Sequence, residues 1–505
     1  MRDNRENMER ELLERERERD ETLSDGFFGG ITFSVLVEEV KQLGYITGPM
    51  VAVNLSLYFL QIISIMMVGH LGTLSLSSTA IAISFCAVCG FSLLFGMASA
   101  LETLCGQAYG ANQYRKVGIQ TSTAIFCLSL ACILLSIILI YTEKILIFMG
   151  QDPLISQEAG KFAIWLIPAL FAYGTLQPLV KYFQTQSLII PLLVSACASI
   201  CCHVPLCWLL VFKSGLGHLG AALSIGISYW LNVILLVLYM KCSPDCENTR
   251  ISISLELFQG LREFLRFAIP SAVMVCLEWW SFELLILLSG FLPNAELETS
   301  VLSVCLSTIT TLYTIPEGLG AAGSTRVSNS LGAGNPRAAR FSVGVVIFLV
   351  ALEAVIVSSI LFISRNSFGY IFSDESEVVN YVSNMAPLVC ISVILDSLPG
   401  VLSGIARGCG WQDLGAIVNL GAYYFFGLPV GALLAFWLDL RGKGLWIGIL
   451  TGAFVQAFLL SVITIFTNWE KKVHPPLLGS FKDFFRFCQL AKIYNQSHLM
   501  KLPVN

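Results

Sequence analysis

The chain has 505 residues, of which 55% are hydrophobic and only 13% charged, with a mean hydropathy of +0.75. An ordinary soluble domain carries about 25% charged residues, so the composition excludes that class and describes a polytopic membrane protein. A near-balanced net charge of −4 offers no basic face and excludes nucleic acid as a partner.

The first 25 residues alternate Glu and Arg, as in the stretch from Glu11 to Asp20. They lack the apolar core and cleavage site of a signal peptide. Mixed charge without apolar periodicity leaves nothing to bury, which predicts a solvated tail. Apolar stretches near the 20 residues that a membrane-crossing helix needs then recur about twelve times, at 45–68, 77–101, 117–141, 160–180, 188–211, 219–240, 264–290, 299–322, 341–364, 384–405, 414–437 and 444–467. In lipid such spans satisfy their backbone as helices, so the predicted fold is all-α with about twelve transmembrane helices. After residue 470, Lys471, Lys472, Lys482 and Arg486 interleave with Phe481, Phe484 and Phe485, a pattern suited to the membrane surface.

Basic residues gather in alternate loops: Arg115 and Lys116; Lys181; Lys241, Arg250, Arg262 and Arg266; Arg326, Arg337 and Arg340; Arg407. With an even number of spans, the positive-inside rule places these loops and both termini in the cytoplasm. The 16 cysteines are scattered singly or as neighbours inside apolar runs, with no Cys/His cluster. They read as small buried hydrophobes rather than as a disulfide or metal framework; Cys242 and Cys246, flanking a polar loop, are the exception.

The chain repeats itself. Pro49 and Gly69 match Pro270 and Gly290 at a spacing of 221; Thr103, Gly110 and Ala111 match Thr325, Gly332 and Ala333 at 222; Pro178 and Val180 match Pro399 and Val401 at 221. Six spans per repeat is an even number, so both halves enter the membrane in the same orientation, related by an axis along the membrane normal. The expected division is a charged tail over 1–40, an N-lobe over 41–245, a C-lobe over 246–470 and a second tail over 471–505, with the polar stretch 242–260 as linker. Two facing lobes are a transporter architecture with its site near the midplane.

Glu278 and Glu283 stand in the seventh span and Asp396 in the tenth, whereas their repeat equivalents are Leu57, Ile62 and Thr175. The scaffold therefore does not need these acids. A carboxylate at the centre of a transmembrane helix costs about 2.5 to 3.5 kcal/mol and usually faces a cavity. Desolvation disfavours the charged form of a carboxyl group, which suits a carrier that takes up a proton on one side and releases it on the other. The driving force is adequate, at about 1.4 kcal/mol per pH unit and about 2.3 kcal/mol per 100 mV. Glu278 and Glu283 lie about 140° apart around an ideal helix, so they do not face one cavity together. Trp279 and Trp280 offer flat faces for a cationic or aromatic ligand. Glu353, mid-span in the ninth helix, is expected to make an inter-helix hydrogen bond, and Pro399, one turn from Asp396, is the expected hinge. No metal site and no cofactor are expected.

Leu-Glu-Thr-Leu-Cys-Gly-Gln-Ala-Tyr-Gly-Ala at 101–111, Cys-Leu-Glu-Trp-Trp-Ser-Phe-Glu at 276–283, Leu-Glu-Thr-Ser-Val-Leu-Ser at 297–303 and Ser-Thr-Arg-Val-Ser-Asn-Ser-Leu-Gly-Ala-Gly-Asn-Pro at 324–336 resemble the multidrug and toxic compound extrusion (MATE) family, in particular its plant DETOXIFICATION branch. The resemblance covers residues 35–470. It implies two six-helix lobes in a V and antiport of organic solutes against protons, with sodium as the alternative ion. It also implies coupling acids in the C-lobe: Glu278 with Glu283 as secondary neighbour, and Asp396, supported by Asn419 and Tyr423. Two departures stand out: Asn54 in place of the N-lobe aspartate used by some bacterial members, and Cys305 near the position where animal members carry an eighth-span glutamate. The glycine motifs near the ends of spans two and eight suit close helix packing and read as structural or gating elements. The expected molecule is a monomer in the plasma or vacuolar membrane, with a small organic solute, protons and lipids as partners. A major facilitator carrier, a lipid flippase, a membrane enzyme and a channel are weaker readings. The Asp-Arg-Arg loop, basic cavity, HExxH motif and repeated filter that would mark each are lacking.

Overall fold

Twelve apolar helices, traced in a computed structural model that describes residues 33–250, 256–365 and 376–470, build the molecule. The charged N-terminal stretch, the basic segment after residue 470 and part of the 242–260 linker lie outside the described residues. In chain order the helices are α1 Phe33–Gly69, α2 Thr73–Gly110, α3 Tyr114–Ile140, α4 Pro153–Trp165 plus Ile167–Thr185, α5 Ile189–Lys213 and α6 His218–Cys242. The second half supplies α7 Leu257–Ser289, α8 Ala295–Gly332, α9 Pro336–Ile363, α10 Ser376–Cys409, α11 Gln412–Trp437 and α12 Arg441–Phe466. Among the described residues, eleven are each long and apolar enough to cross a membrane, and α4, bent by 48° at Leu166, is the twelfth. Pro168 sits just after that bend, in the first turn of the second segment where a missing N–H costs nothing. Outward-facing side chains such as Leu134, Ile356 and Phe454 are exposed, as a lipid-facing surface requires. None of the 15 described cysteines forms a disulfide, Cys242 and Cys246 included; Cys197, Cys201 and Cys202 are exposed rather than buried.

Several helices run further than hydropathy marks them. α1 begins at Phe33 because its first turns are anchored to the other half. Glu39, buried, accepts from Arg326 Nε at 3.1 Å and Nη2 at 2.8 Å, and from Ser342 Oγ at 2.6 Å. Hydropathy discards such charged turns, while ion pairing keeps them helical.

Helices α2 and α8, equivalents in the repeat, cross one another near their C-terminal ends. A Cβ on Gly110 would stand 2.7 Å from the carbonyl carbon of Asn329, and one on Gly332 would stand 2.8 Å from that of Gln107. Gln107 and Asn329 are themselves equivalents at a spacing of 222, so each glycine admits the partner's counterpart and the repeat axis runs through this crossing. Polar bonds flank it: Gln107 Nε2 donates to the Gly408 carbonyl at 3.3 Å, Gln184 Nε2 to Ala321 at 3.1 Å, and Asn329 Nδ2 to Thr185 at 3.1 Å. The two halves are thus sealed together at this end.

Lys181 and Arg407 require a correction. The alternation of basic residues predicts both in loops, but they lie within α4 and α10 and are 4% and 8% exposed. A buried pairing with Glu102 accounts for them, so neither is a loop charge that sets orientation. Arg326 likewise lies within α8, paired with Glu39, and Arg115, Lys116, Arg262, Arg266, Arg337 and Arg340 lie within α3, α7 and α9 rather than in loops.

Candidate functional site

Four C-lobe helices converge on one carboxylate. Glu278, partly buried on α7, accepts from Tyr313 Oη on α8 at 3.2 Å through Oε1. Its Oε2 accepts from Asn419 Nδ2 on α11 at 3.2 Å and from Gln456 Nε2 on α12 at 3.2 Å. The donors are themselves held in place: Asn419 Nδ2 donates to the Met274 carbonyl at 2.8 Å, Gln456 Nε2 to Asn419 Oδ1 at 2.8 Å, and Tyr423 Oη to Gln456 Oε1 at 2.8 Å. Asn419, Tyr423 and Gln456 are buried. The turn from Leu420 to Gly427 is widened to a π-helix, a feature frequent at functional sites. Here it sets the angle between Asn419, just before it, and Tyr423, within it. The arrangement gives Glu278 three neutral donors from three other helices.

Asp396, 6% exposed on α10, has no hydrogen-bond partner among the described residues. It lies near enough to Glu278 for the two carboxylates to repel, so one proton between them relieves the repulsion. A cavity of about 10 Å³, about the room one water needs, separates Asp396 and Ser397 from Ile309, Leu312, Tyr313 and Pro316 of α8. Pro399 lies three residues on, inside a continuous α10. A Cβ on the following Gly400 would stand 3.0 Å from the Tyr313 ring. The expected acid, hinge and Glu278 donor therefore share one contact surface between α8 and α10.

The remaining expected residues are placed elsewhere. Glu283 accepts from Ser84 Oγ on α2 at 3.0 Å, across the seam between the halves. Trp280 Nε1 donates to the Val88 carbonyl at 3.0 Å and to Ser92 Oγ at 3.3 Å, and Trp279 stacks on Phe95 with ring centroids 5.6 Å apart. The Val88 carbonyl lies in the turn Ala87–Phe91, a π-helix, and also accepts from Ser92 Oγ at 2.7 Å. Both tryptophans thus hold α7 to α2. Glu353 does not make the expected hydrogen bond: neither carboxylate oxygen has a partner among the described residues, although Ser397 is nearby. No three His, Cys, Asp or Glu side chains among the described residues come together as a metal site.

A second charged centre was not expected from the sequence. Glu102 on α2, 1% exposed, takes Lys181 Nζ at 2.5 Å on Oε1, and Arg407 Nε at 3.0 Å and Ser324 Oγ at 2.7 Å on Oε2. Lys181 also meets Gln184 Oε1 at 3.2 Å and lies 5.3 Å over the Phe95 ring. Thr103 Oγ1 donates to the Arg407 carbonyl and accepts from Gln412 Nε2 at 2.7 Å. Between the two centres Glu317 of α8 feels Glu278 on one side and Glu102, Lys181 and Arg407 on the other. Glu102 stands inside a motif whose small residues point to packing, and the alternation of charge points Lys181 and Arg407 to loops. Their polarity within otherwise apolar helices was the signal available.

Comparisons with known proteins agree with this architecture. The sequence profile of the MatE family matches residues 49–209 and 270–433, two stretches that begin 221 residues apart, as the internal repeat does. Protein DETOXIFICATION 14 of Arabidopsis thaliana is 62% identical over 436 residues, covering 86% of this chain and 90% of the relative. Protein DETOXIFICATION 12 of the same plant is 56% identical over 464 residues, 92% of this chain and 95% of that one. The crystal structure of the eukaryotic MATE transporter AtDTX14 superposes with a TM-score of 0.85 at 61% identity, over 87% of this chain and 98% of that chain. An outward-facing multidrug resistance MATE transporter of the MOP superfamily, only 14% identical, shares the fold with a TM-score of 0.76, over 85% of this chain and 95% of that chain.

Proposed function

The chain belongs to the MatE family of multidrug and toxic compound extrusion transporters, and on that footing we propose that it exports bulky organic cations or aromatic metabolites from the cytoplasm in exchange for protons. It is an integral, multi-pass membrane transporter for small organic solutes, not an enzyme. One observation carries the proton reading: Glu278 gathers donors from three other helices beside a donorless Asp396, in the half whose repeat equivalents are Leu57 and Thr175.

A proton arriving at this pair removes the repulsion that holds α7 and α10 apart in charge. α10 is the helix able to respond, because Pro399 removes one of its hydrogen bonds and Gly400 rests on Tyr313. Tyr313 touches both the acid and the bending segment, so protonation and helix geometry act on one side chain. Arginines and lysines near the N-terminal ends of α3, α7 and α9, such as Arg115, Lys116, Arg262 and Arg337, favour a cytoplasmic placement for the sealed end and for both termini. Acids beside aromatic rings favour cationic or aromatic solutes.

The test is uptake of a fluorescent organic cation into proteoliposomes under an imposed pH gradient, then under a sodium gradient. Proton-driven uptake in the native protein, lost in Glu278→Gln and in Asp396→Asn, is the expected result. Uptake that survives both substitutions refutes coupling at these acids; uptake driven by sodium alone assigns them to the other ion.

A further inference from the structure

The Glu102 centre joins the two lobes and must part whenever they do. Its composition across the seam is uneven. Glu102 and Lys181 belong to the N-lobe and Arg407 to the C-lobe, so the one acid holds two cations. Lobe separation would take Glu102 and Lys181 away together as a neutral pair, further held by Gln184 and the Phe95 ring. Arg407 would be left buried in the C-lobe without the carboxylate it bonds now. An unpaired buried charge is among the costliest outcomes of a conformational change.

Glu317 answers that deficit. Tyr313, Glu317, Ser324 and Ser328 recur on α8 at spacings of four, seven and four residues, which places them along one face. Tyr313 touches Glu278 and Ser324 touches Glu102, so Glu317 stands on the stripe between the two centres. It is partly exposed, has no hydrogen-bond partner among the described residues, and lies within electrostatic reach of Arg407 and Lys181. Arg407 spends only Nε on Glu102; its terminal nitrogens have no partner among the described residues. The groups facing Glu317 are Lys181 and Tyr173 of α4, Arg407 of α10, Glu102 of α2, Glu278 of α7 and Tyr313 of its own helix.

We propose that Glu317 is a positioning residue for the transport cycle: it takes over Arg407 as the lobes part, so that Glu102 with Lys181 and Glu317 with Arg407 each leave as a neutral pair within one lobe. The exchange needs no new charge and no proton, only that the guanidinium turn from one carboxylate to another on its own side of the seam. Arginine suits it, since its fork can engage a second carboxylate before releasing the first. Glu317 also lies near Glu278, so the charge state of the coupling site biases the handover by like-charge repulsion. The inference rests on the alternating-access part of the proposed function but not on the identity of the coupling ion.

The test uses the full-length protein in proteoliposomes and two readouts: organic-cation transport, and hydrogen–deuterium exchange of segments 101–111 and 324–333, which form the seal. Glu317→Gln should slow both at least tenfold, because Arg407 then has nowhere to go. Glu317→Asp, charged but shorter, should fall between. Glu317→Gln combined with Arg407→Gln removes the charge and its partner together and should restore exchange at the seal to the native rate or above. Native exchange in Glu317→Gln, or a double variant no faster than the single one, overturns the proposal. Should the native protein transport without a proton gradient while this exchange pattern holds, the handover stands and only the proton reading falls.

Discussion

Replacing Gly110 or Gly332 by alanine tests the seal at its tightest point. At Gly110 the new Cβ would meet the Asn329 carbonyl oxygen first and stand 2.7 Å from its carbon, where ordinary contact starts at 3.4 Å, so α2 and α8 must part by more than the 0.7 Å that the carbon alone demands. At Gly332 the Gln107 carbonyl oxygen is again met first and its carbon stands at 2.8 Å, so the displacement exceeds 0.6 Å. The neighbouring bond from Gln107 to Gly408, already 3.3 Å long, does not survive that shift. Overpacking of this kind costs about 1 to 3 kcal/mol. Alanine returns about 1 kcal/mol through helix propensity, a gain present whether the lobes are together or apart. The cost falls only on the closed arrangement, so the equilibrium moves toward opening by roughly 5- to 150-fold. Hydrogen–deuterium exchange over 101–111 and 324–333 should accelerate by that factor in either variant. The two substitutions strike one shared crossing, so together they should do less than the sum of their separate effects. Native exchange rates in both variants, or opposite effects from the two, would refute the reciprocal packing.

Three further outcomes follow from the buried polar groups. Glu278→Gln can still accept from Asn419 and Gln456 while turning its amide to Tyr313, so it should unfold within about 1 kcal/mol of the native protein; Glu278→Ala strands three donors and should lose roughly 3 kcal/mol or more, read as the fall in apparent melting temperature in detergent. Glu102→Gln leaves Lys181 and Arg407 without the anion they share and should cost about 3 to 5 kcal/mol, measured the same way; a smaller loss than from Glu39→Gln, whose arginine is half-buried, would contradict the burial. His203, fully buried, bridges Ser64 Oγ at 3.1 Å and Ser228 Oγ at 2.8 Å. His203→Leu should therefore destabilise by about 1 to 3 kcal/mol while leaving transport per folded molecule unchanged; abolished transport in folded protein would give this N-lobe histidine a working role.

The sequence carries the architecture because a membrane leaves few solutions. Spans of about 20 apolar residues must be helices, and a shift of 221 residues between Pro49 and Pro270 reveals the repeat. The same shift isolates Glu278 and Asp396, since comparison with Leu57 and Thr175 removes what the scaffold itself requires. Donors are harder to find. Tyr313 and Gln456 converge on Glu278 from α8 and α12, but Tyr and Gln recur throughout the spans, and only tertiary contact selects these two. Trp279 and Trp280 show the opposite failure. Adjacency to Glu278 suggests a ligand surface, yet successive residues on a helix point about 100° apart, and both rings turn to α2 instead. Charge counting misplaces Lys181 and Arg407 for a related reason: a hydropathy minimum inside a protein-facing helix looks like a loop until its counter-ion, 79 or 305 residues away, is seen.

The Glu102 centre also explains why a repeated scaffold cannot stay symmetric at its axis. Glu102 and Ser324 are equivalents at a spacing of 222, and they touch, with Ser324 Oγ donating to Glu102 Oε2 at 2.7 Å. A residue that meets its own equivalent has few acceptable pairings. Two glutamates would set buried like charges against each other, and two serines would leave Lys181 and Arg407 with no anion at the seam. One acid and one hydroxyl satisfy both constraints, with the hydroxyl sharing Oε2 with Arg407 while Lys181 holds Oε1. The packing glycines can remain equivalent, as Gly110 and Gly332 do, because a close backbone approach carries no charge. Asymmetry therefore begins where titratable chemistry meets the repeat axis. It runs along one face of α8, from Ser324 through Glu317 to Tyr313, whose hydroxyl donates to Glu278 of α7, and so links the seal to the proposed coupling acids through a single helix.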